Sequence, residues 1–319
     1  MPCLVRLVPV IVVVCPGQGS QKPGFLEPWL AEGRTRALLE GYSDAAGLDL
    51  VRHGTESDAE TIRDTAVAQP LIVAAGLLSL AALRERAGDA RLGGVAGHSV
   101  GEITAAAAAG ILSDAEALRF VAVRGREMAK AAALAPTGMA AVLGGDRDAV
   151  VAAAAEHGLA PANFNGGGQI VVAGPLDGIE ALRAAPLRGT RVIPLQVAGA
   201  FHTPAMQPAV AALSAVAADL APADPAVPIW SNKDGALVSS GSAFVDLLVG
   251  QVSSPVDWES CMTSMSAAGV TGLIELSPAG TLVGLAKRAL KGLPAVAVTG
   301  PDDLDAAVDL LQSDLQATR

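Results

Sequence analysis

The sequence predicts an α/β protein: a parallel sheet flanked by helices, interrupted by a small βαββαβ unit. Three observations predict it. Apolar runs of strand length at 8–15 and 92–96 each lead straight into a glycine-rich turn, Pro16-Gly-Gln-Gly-Ser20 and Gly97-His-Ser-Val-Gly101. Unbroken apolar strands suit a sheet covered on both faces. Strand-like runs then alternate with helix-length segments along most of the chain. Between 137 and 197 the order changes to strand, helix, strand, strand, helix, strand, the ferredoxin-like sequence of elements. With 319 residues, the chain is long enough for a large domain and a smaller inserted one. The expected boundaries are 1–132 with 199–319, and 133–198.

Each element follows from local chemistry. The run at 8–15 is short and is followed at once by a glycine-rich loop at 16–24. It therefore reads as a buried strand, although Arg6 and the apolar stretch resemble the core of a signal peptide. Helical segments are expected at 29–41, 58–64 and 68–88, with Pro70 in the first turn of the last. The strand at 92–96 precedes a Gly-x-Ser-x-Gly turn, and Glu102 with the alanines to 109 favours a helix. Ser113 is placed to cap a helix over 114–130, on which Arg124 and Met128 share a face. Strands at 139–143, 160–165, 169–173 and 191–197 and helices at 146–156 and 176–185 form the inserted unit. Helices at 205–220, 244–251, 255–268 and 280–290 and strands at 228–232, 273–276 and 295–298 complete the large domain, before a terminal helix from 302.

Charge and cysteine usage narrow the function. There are 22 Lys and Arg against 32 Asp and Glu, a net charge of −10. That argues against general nucleic-acid or anionic-membrane binding. No apolar run approaches the ~20 residues that span a bilayer. Cys3, Cys15 and Cys261 are far apart and form no metal-ligand spacing, so reduced thiols, a cytoplasmic location and no metal are expected. Nothing in the sequence signals an oligomer, and a monomer is expected.

The Gly-x-Ser-x-Gly turn carries the chemistry. A tight strand-to-helix turn raises the Ser99 hydroxyl above the sheet, at the positive end of a helix. A serine needs an adjacent base, usually histidine. His98 is bonded through the chain to Ser99 and would point away from it. His53 and His157 sit in polar helix-end contexts. His202 follows an apolar strand and a Gly-Ala-Phe turn and is the expected base. Asp114, Asp146 and Asp177 lie between serine and histidine, but none has a distinguishing context. A backbone carbonyl or a side-chain amide is the other way to orient the base. Oxyanion donors would be the amide of Val100 and one from the Gln18 loop.

These residues resemble a known family. Pro16-Gly-Gln-Gly-Ser-Gln21, Gly97-His-Ser-Val-Gly-Glu102, Arg124-Gly-Arg-Glu-Met128, Asn163-Phe-Asn165, Gly199-Ala-Phe-His202 and Gln251-Val-Ser-Ser-Pro255 occur in the order found in malonyl-CoA:acyl carrier protein transacylases. The resemblance implies an α/β-hydrolase-like large domain with a parallel sheet, plus an inserted ferredoxin-like domain. It implies transfer of malonyl from malonyl-CoA to the phosphopantetheine thiol of acyl carrier protein, by a ping-pong route through a malonyl-serine ester on Ser99. His202 would be base and then acid, and Gln18 and Val100 the oxyanion hole. Arg124 would bind the malonyl carboxylate through its planar guanidinium. The backbone carbonyl of Gln251 would hold His202 in its working tautomer, with Met128 and Asn165 lining the pocket and His98 accompanying the nucleophile. Phe201 would narrow the space at the substrate α-carbon and favour malonyl over methylmalonyl. No cofactor is implied.

An acidic chain needs local basic residues to meet two anionic partners. Lys287, Arg288 and Lys291 on a late helix, and Arg183, Arg188 and Arg191 in the small unit, are the candidates for carrier-protein contact. The carrier would serve fatty-acid or polyketide synthesis; the rival enzyme on the same turn is a serine esterase or thioesterase.

Overall fold

Five consecutive apolar residues, Ile11–Cys15, form strand β1, and every one is buried. The computed structural model describes residues 10–31 and 33–317. The expected strand start at Val8, and Cys3, lie outside them. A 3-10 turn at Glu27–Ala31 leads into α1 (Gly33–Ala46), α2 (Leu50–Thr55) and α3 (Thr65–Ala87). β2 (Gly94–Gly97) and α4 (Gly101–Ala108) flank the serine turn, and α5 (Asp114–Ala132) follows. The middle of the chain is β3 (Thr137–Leu143), α6 (Arg147–Glu156), β4 (Ala160–Gly166), β5 (Gln169–Pro175), α7 (Leu176–Ala184) and β6 (Arg191–Pro194). The rest is α8 (Gln207–Ala218), β7 (Ile229–Trp230), α9 (Gly241–Gln251), β8 (Val256–Asp257), α10 (Trp258–Ala267), β9 (Gly272–Glu275), α11 (Thr281–Ala289), β10 (Ala295–Ala297) and α12 (Leu304–Ala317).

The strands make two sheets. The first, ordered β10-β9-β1-β2-β7, is parallel throughout. β1 is its central strand, so both of its faces are covered, which explains its unbroken apolar run. The second is ordered β6-β3-β5-β4-β8. Its first four strands are antiparallel neighbours, with α6 and α7 as the connecting helices. β8 extends this sheet from a distant part of the chain, pairing parallel with Asn163 and Phe164.

Several expectations changed at helix starts. Asp64 caps α3 by accepting the Ala66 N–H at 2.8 Å, so the helix begins at Thr65 and Pro70 lies in its second turn. The expected helix at 58–64 is only a 3-10 turn at Thr61–Arg63, and the six-residue α2 was too short to show a period. The segment expected as one helix at 255–268 starts as β8; Asp257 then accepts the Ser260 N–H and caps α10. Ser113 and Glu116 form a capping box at the start of α5.

α3 overturns one reading of the sequence. It has 23 residues with a mean hydropathy of 2.0 in its most apolar window, long and apolar enough to cross a bilayer. Here it is a core helix, with 78% of that window buried against the protein. It packs on α1, α4, α5 and α12. Helix and helix approach closely at Gly76, where an added Cβ would lie 2.7 Å from the Thr104 methyl. The small alanines of α4 permit that approach.

Candidate active site

β2 ends at Gly97 and α4 begins at Gly101, so the chain turns within three residues. Both glycines are required by close approach. A Cβ on Gly97 would sit 2.1 Å from the Gly101 carbonyl carbon, and one on Gly101 would sit 2.1 Å from the Cys15 carbonyl oxygen. The turn places Ser99 at φ 55°. That left-handed conformation costs an L residue roughly 1–2 kcal/mol. Asn232 braces it: its Oδ1 accepts the Ser99 N–H at 2.8 Å, and its Nδ2 donates to the Gly97 carbonyl at 2.7 Å.

His202 lies after β6 and meets Ser99 across the fold. Its Nε2 is 2.7 Å from Ser99 Oγ, and its Nδ1 is 2.9 Å from the Gln251 carbonyl. A carbonyl only accepts, so Nδ1 carries the proton and Nε2 is left to accept from the serine. The imidazole is 4% exposed. Burial first, and the charge of Arg124 second, push it down to about 3. It is therefore neutral, the form a general base requires.

Arg124 comes from α5 and is 1% exposed. Its Nη1 donates to Gln69 Oε1 at 2.6 Å, and its Nη2 donates to Gln251 Oε1 at 2.8 Å. Nη2 also stands 3.5 Å from Ser99 Oγ. Burial lowers the guanidinium to about 10, which leaves it positive at neutral pH. Its hydrogen-bond partners, two amides and the Ser99 hydroxyl, are all neutral, so among the described residues this charge has no counter-ion in direct contact.

Ser99, His202 and Arg124 line one cavity of about 110 Å³, together with Gln18, Val100, Met128, Phe201, His98, Gln69 and Asn163. Asn165 stands one layer behind it. Its Oδ1 accepts from His98 Nε2 at 2.8 Å, and its Nδ2 donates to Gln169. His98 is held edge-on to Trp258, with ring centroids 5.9 Å apart, and burial lowers its pKa. Gln251 reaches the cavity only through His202 and Arg124. Lys287 and Arg288 are exposed in the last turn of α11, in no ion pair among the described residues. α11 packs on β4, which brings them to the junction of the two sheets. Arg183 is already paired with Glu180 at 2.6 Å. Among the described residues no cluster of His, Cys, Asp and Glu is placed to hold a metal.

Similarity to known proteins decides the family. The acyl transferase domain model matches residues 12–317. A malonyl CoA-acyl carrier protein transacylase of Mycobacterium tuberculosis is 49% identical over 304 residues, covering 94% of this chain and all of the relative. The chain belongs to the malonyl-CoA:acyl carrier protein transacylase family. A crystal structure of the M. tuberculosis family member superposes with a TM-score of 0.91, covering 94% of this chain and 99% of that one. A type II polyketide acyl-carrier protein in complex with its malonyl-transacylase also matches, at 30% identity and a TM-score of 0.88; the match covers 94% of this chain and 99% of that one.

The sequence did not mark Gln69, Glu102 or Asn232, nor the cavity walls Asn163, Met139, Leu195 and Val197. Glu102 accepts the Asn232 N–H at 2.6 Å and a hydrogen bond from Gln251 Nε2. Burial pushes its carboxyl up, while the Asn232 N–H, the Arg124 charge and the Ser231 and Gln251 side chains pull it back towards the ionised form that accepts on both oxygens. Gln69 sits one residue before Pro70 in an apolar helix. An isolated amide in such a run was the one signal that could have marked it.

Proposed function

We propose that this acyltransferase moves malonyl from malonyl-CoA to the phosphopantetheine thiol of acyl carrier protein through a malonyl ester on Ser99. His202 Nε2 takes the Ser99 hydroxyl proton as Oγ bonds to the thioester carbonyl carbon. The carbonyl oxygen becomes an oxyanion facing the Gln18 and Val100 amides. As the carbon–sulfur bond breaks, His202 returns the proton to the sulfur and coenzyme A leaves. The carrier thiol then gives its proton to His202 and attacks the ester. Ser99 Oγ departs with that proton. Arg124 binds the free malonyl carboxylate throughout, with Met128 and Phe201 confining its carbon chain and Asn165 steadying His98 beside it.

One observation carries this reading: the serine–histidine pair at 2.7 Å shares a small cavity with a buried arginine that, among the described residues, has no anionic partner in direct contact. A hydrolase for simple esters has no use for that charge. The oxyanion assignment is supported by the start of α4, whose N–H groups and dipole favour negative charge at the turn. The orienting role of the Gln251 carbonyl replaces a triad carboxylate.

The parallel sheet is read as an α/β-hydrolase-like domain and the antiparallel one as a ferredoxin-like insertion. The active form is a monomer. The buried free thiols of Cys15 and Cys261 suit a reducing cytoplasm. Lys287 and Arg288 are the contact for the acidic carrier. A polyketide carrier is a second reading, favoured by the similarity to the transacylase solved with such a partner.

Incubation with malonyl-CoA followed by mass spectrometry of the Ser99 peptide tests the proposal. A malonyl adduct on Ser99 that disappears when carrier protein is added is expected. An unlabelled Ser99 in folded enzyme would overturn the mechanism. Transfer rates to fatty-acid and polyketide carriers separate the two pathway readings.

A further inference from the structure

Glu102 is the first charged residue of α4, and only 1% of it is exposed. Its backbone N–H donates to the Ser99 carbonyl at 3.0 Å as the helix begins, but among the described residues its carboxyl bonds to neither Ser99 nor His202, and the proton route above does not use it. Its two oxygens instead accept from two residues that do touch the reacting groups. One takes the Asn232 N–H at 2.6 Å and the other takes Gln251 Nε2. Asn232 in turn clamps the serine turn at the Ser99 N–H and the Gly97 carbonyl. Gln251 fixes His202 through its backbone carbonyl and Arg124 through its side-chain oxygen.

Building on the Ser99–His202 mechanism, we propose that Glu102 is a positioning residue. It locks the nucleophile's turn and the base's tautomer carbonyl to one buried carboxylate, and sets the Gln251 amide so that its oxygen, not its nitrogen, faces Arg124.

The polarity of the network requires an acceptor on both oxygens. Asn232 and Gln251 each present an N–H, so residue 102 must accept twice. A glutamine there accepts once, and its own NH₂ meets that of Gln251. Turning the Gln251 amide over removes that conflict but points its nitrogen at a guanidinium that only donates. Gln251 has space for such a turn. With Glu102 it lines a second cavity, about 550 Å³, which neither Ser99 nor His202 reaches. The amide is held by its hydrogen bonds: Nε2 donates to Glu102 and, at 3.3 Å, to Asn232 Oδ1, and Oε1 accepts from Arg124.

The test separates Ser99 reactivity from malonyl recognition. Phenylmethanesulfonyl fluoride is uncharged and reports the Ser99–His202 pair without using Arg124. Glu102→Gln should slow its reaction with Ser99 by about 100-fold, the effect of misplacing a reacting pair by about 1 Å, while the thermal unfolding transition remains cooperative. The swap E102Q/Q251E restores donor to acceptor at this contact. It should bring labelling back to within about tenfold of wild type, while the KM for malonyl-CoA rises because the carboxylate introduced at position 251 neutralises Arg124. Labelling of folded Glu102→Gln at the wild-type rate overturns the proposal, as does a folded swap no faster than the single variant. If the 102 variants do not fold, Gln251→Met decides: it keeps the carbonyl and deletes the amide. Slowed labelling supports the lock and an unchanged rate removes it. Wild-type enzyme that reacts with the sulfonyl fluoride but takes no malonyl would overturn the function proposed above and leave this inference standing.

Discussion

Ser99 and His202, whose side chains meet at 2.7 Å, are the two non-glycine residues with positive φ among the described residues, at 55° and 61°. Each reacting group is thus carried on a strained backbone. The strain is sustained by contacts on either side: Asn232 holds the Ser99 N–H, and Val252 accepts the His202 N–H at 3.1 Å. Strain of this kind persists where surrounding structure over-determines the conformation.

That strain is measurable without catalysis. Ser99→Ala and Ser99→Gly both remove Oγ and its hydrogen bond to His202, and both should be inactive. They differ in backbone preference, because glycine adopts positive φ freely. Ser99→Gly should be more stable than Ser99→Ala by about 1 kcal/mol in urea unfolding. Equal stability would mean that the turn is not strained.

The low pKa of His202 has two causes, burial and then the charge of Arg124, and together they push it down to about 3. A histidine lowered on folding binds fewer protons folded than unfolded between that value and the ordinary ~6.5. Its contribution to stability is therefore present above about 6.5 and is lost as pH falls towards 3. Labelling of Ser99 by the sulfonyl fluoride should accordingly hold its plateau well below about pH 6.5. Arg124→Met removes the second cause. The acid limb of labelling should move to higher pH, and the acid loss of stability should shrink. A limb that stays in place would show that the arginine charge does not reach the imidazole.

Much of this site was legible because its parts announce themselves locally. Gly97 and Gly101 bracket a serine between an apolar strand and an alanine-rich helix, and the structure shows what they avoid: a side chain on either would collide with neighbouring backbone. β1 was visible as an apolar run because both its faces are covered. The βαββαβ order was visible from alternating short elements. The bracing residues were not. Asn232 acts on Ser99 across 133 positions, and Gln251 on Glu102 across 149. Single amides and one carboxylate carry no periodicity, and what they do depends on which donor faces which acceptor. Glu102 stood at the end of the serine motif and still gave no sign of its role. β8 failed for a related reason: its two residues join a sheet whose other strands lie far earlier in the chain.

Phe201 offers a test of substrate size. It lines the cavity beside the base and is 7% exposed. The cavity holds only about 110 Å³, so an acyl chain bound as proposed would bring an α-methyl group against the ring. Phe201→Ala should raise the kcat/KM ratio of methylmalonyl-CoA to malonyl-CoA by roughly tenfold, within the 1–3 kcal/mol that a methylene is worth in such a pocket. An unchanged ratio would place the discrimination elsewhere in the wall.

On the proposed function, the choice of acid over neutral acyl groups would turn on what holds Arg124. Gln69 accepts from its Nη1 at 2.6 Å through a neutral amide oxygen, which orients the guanidinium without cancelling its charge. Gln69→Glu keeps the shape and the acceptor but adds a carboxylate where the amide stood. The enzyme would then carry its own counter-ion, and a malonyl carboxylate would enter a site already neutralised. A charge-assisted hydrogen bond is worth about 1.5–3 kcal/mol, so kcat/KM for malonyl-CoA should fall by roughly 10- to 100-fold. Acetyl-CoA has no free carboxylate and should lose little, so the malonyl to acetyl ratio is the quantity to measure. Loss of both activities together would indicate that the new carboxylate disturbs Ser99 itself. A preserved ratio would show that Arg124 does not select the substrate through its charge.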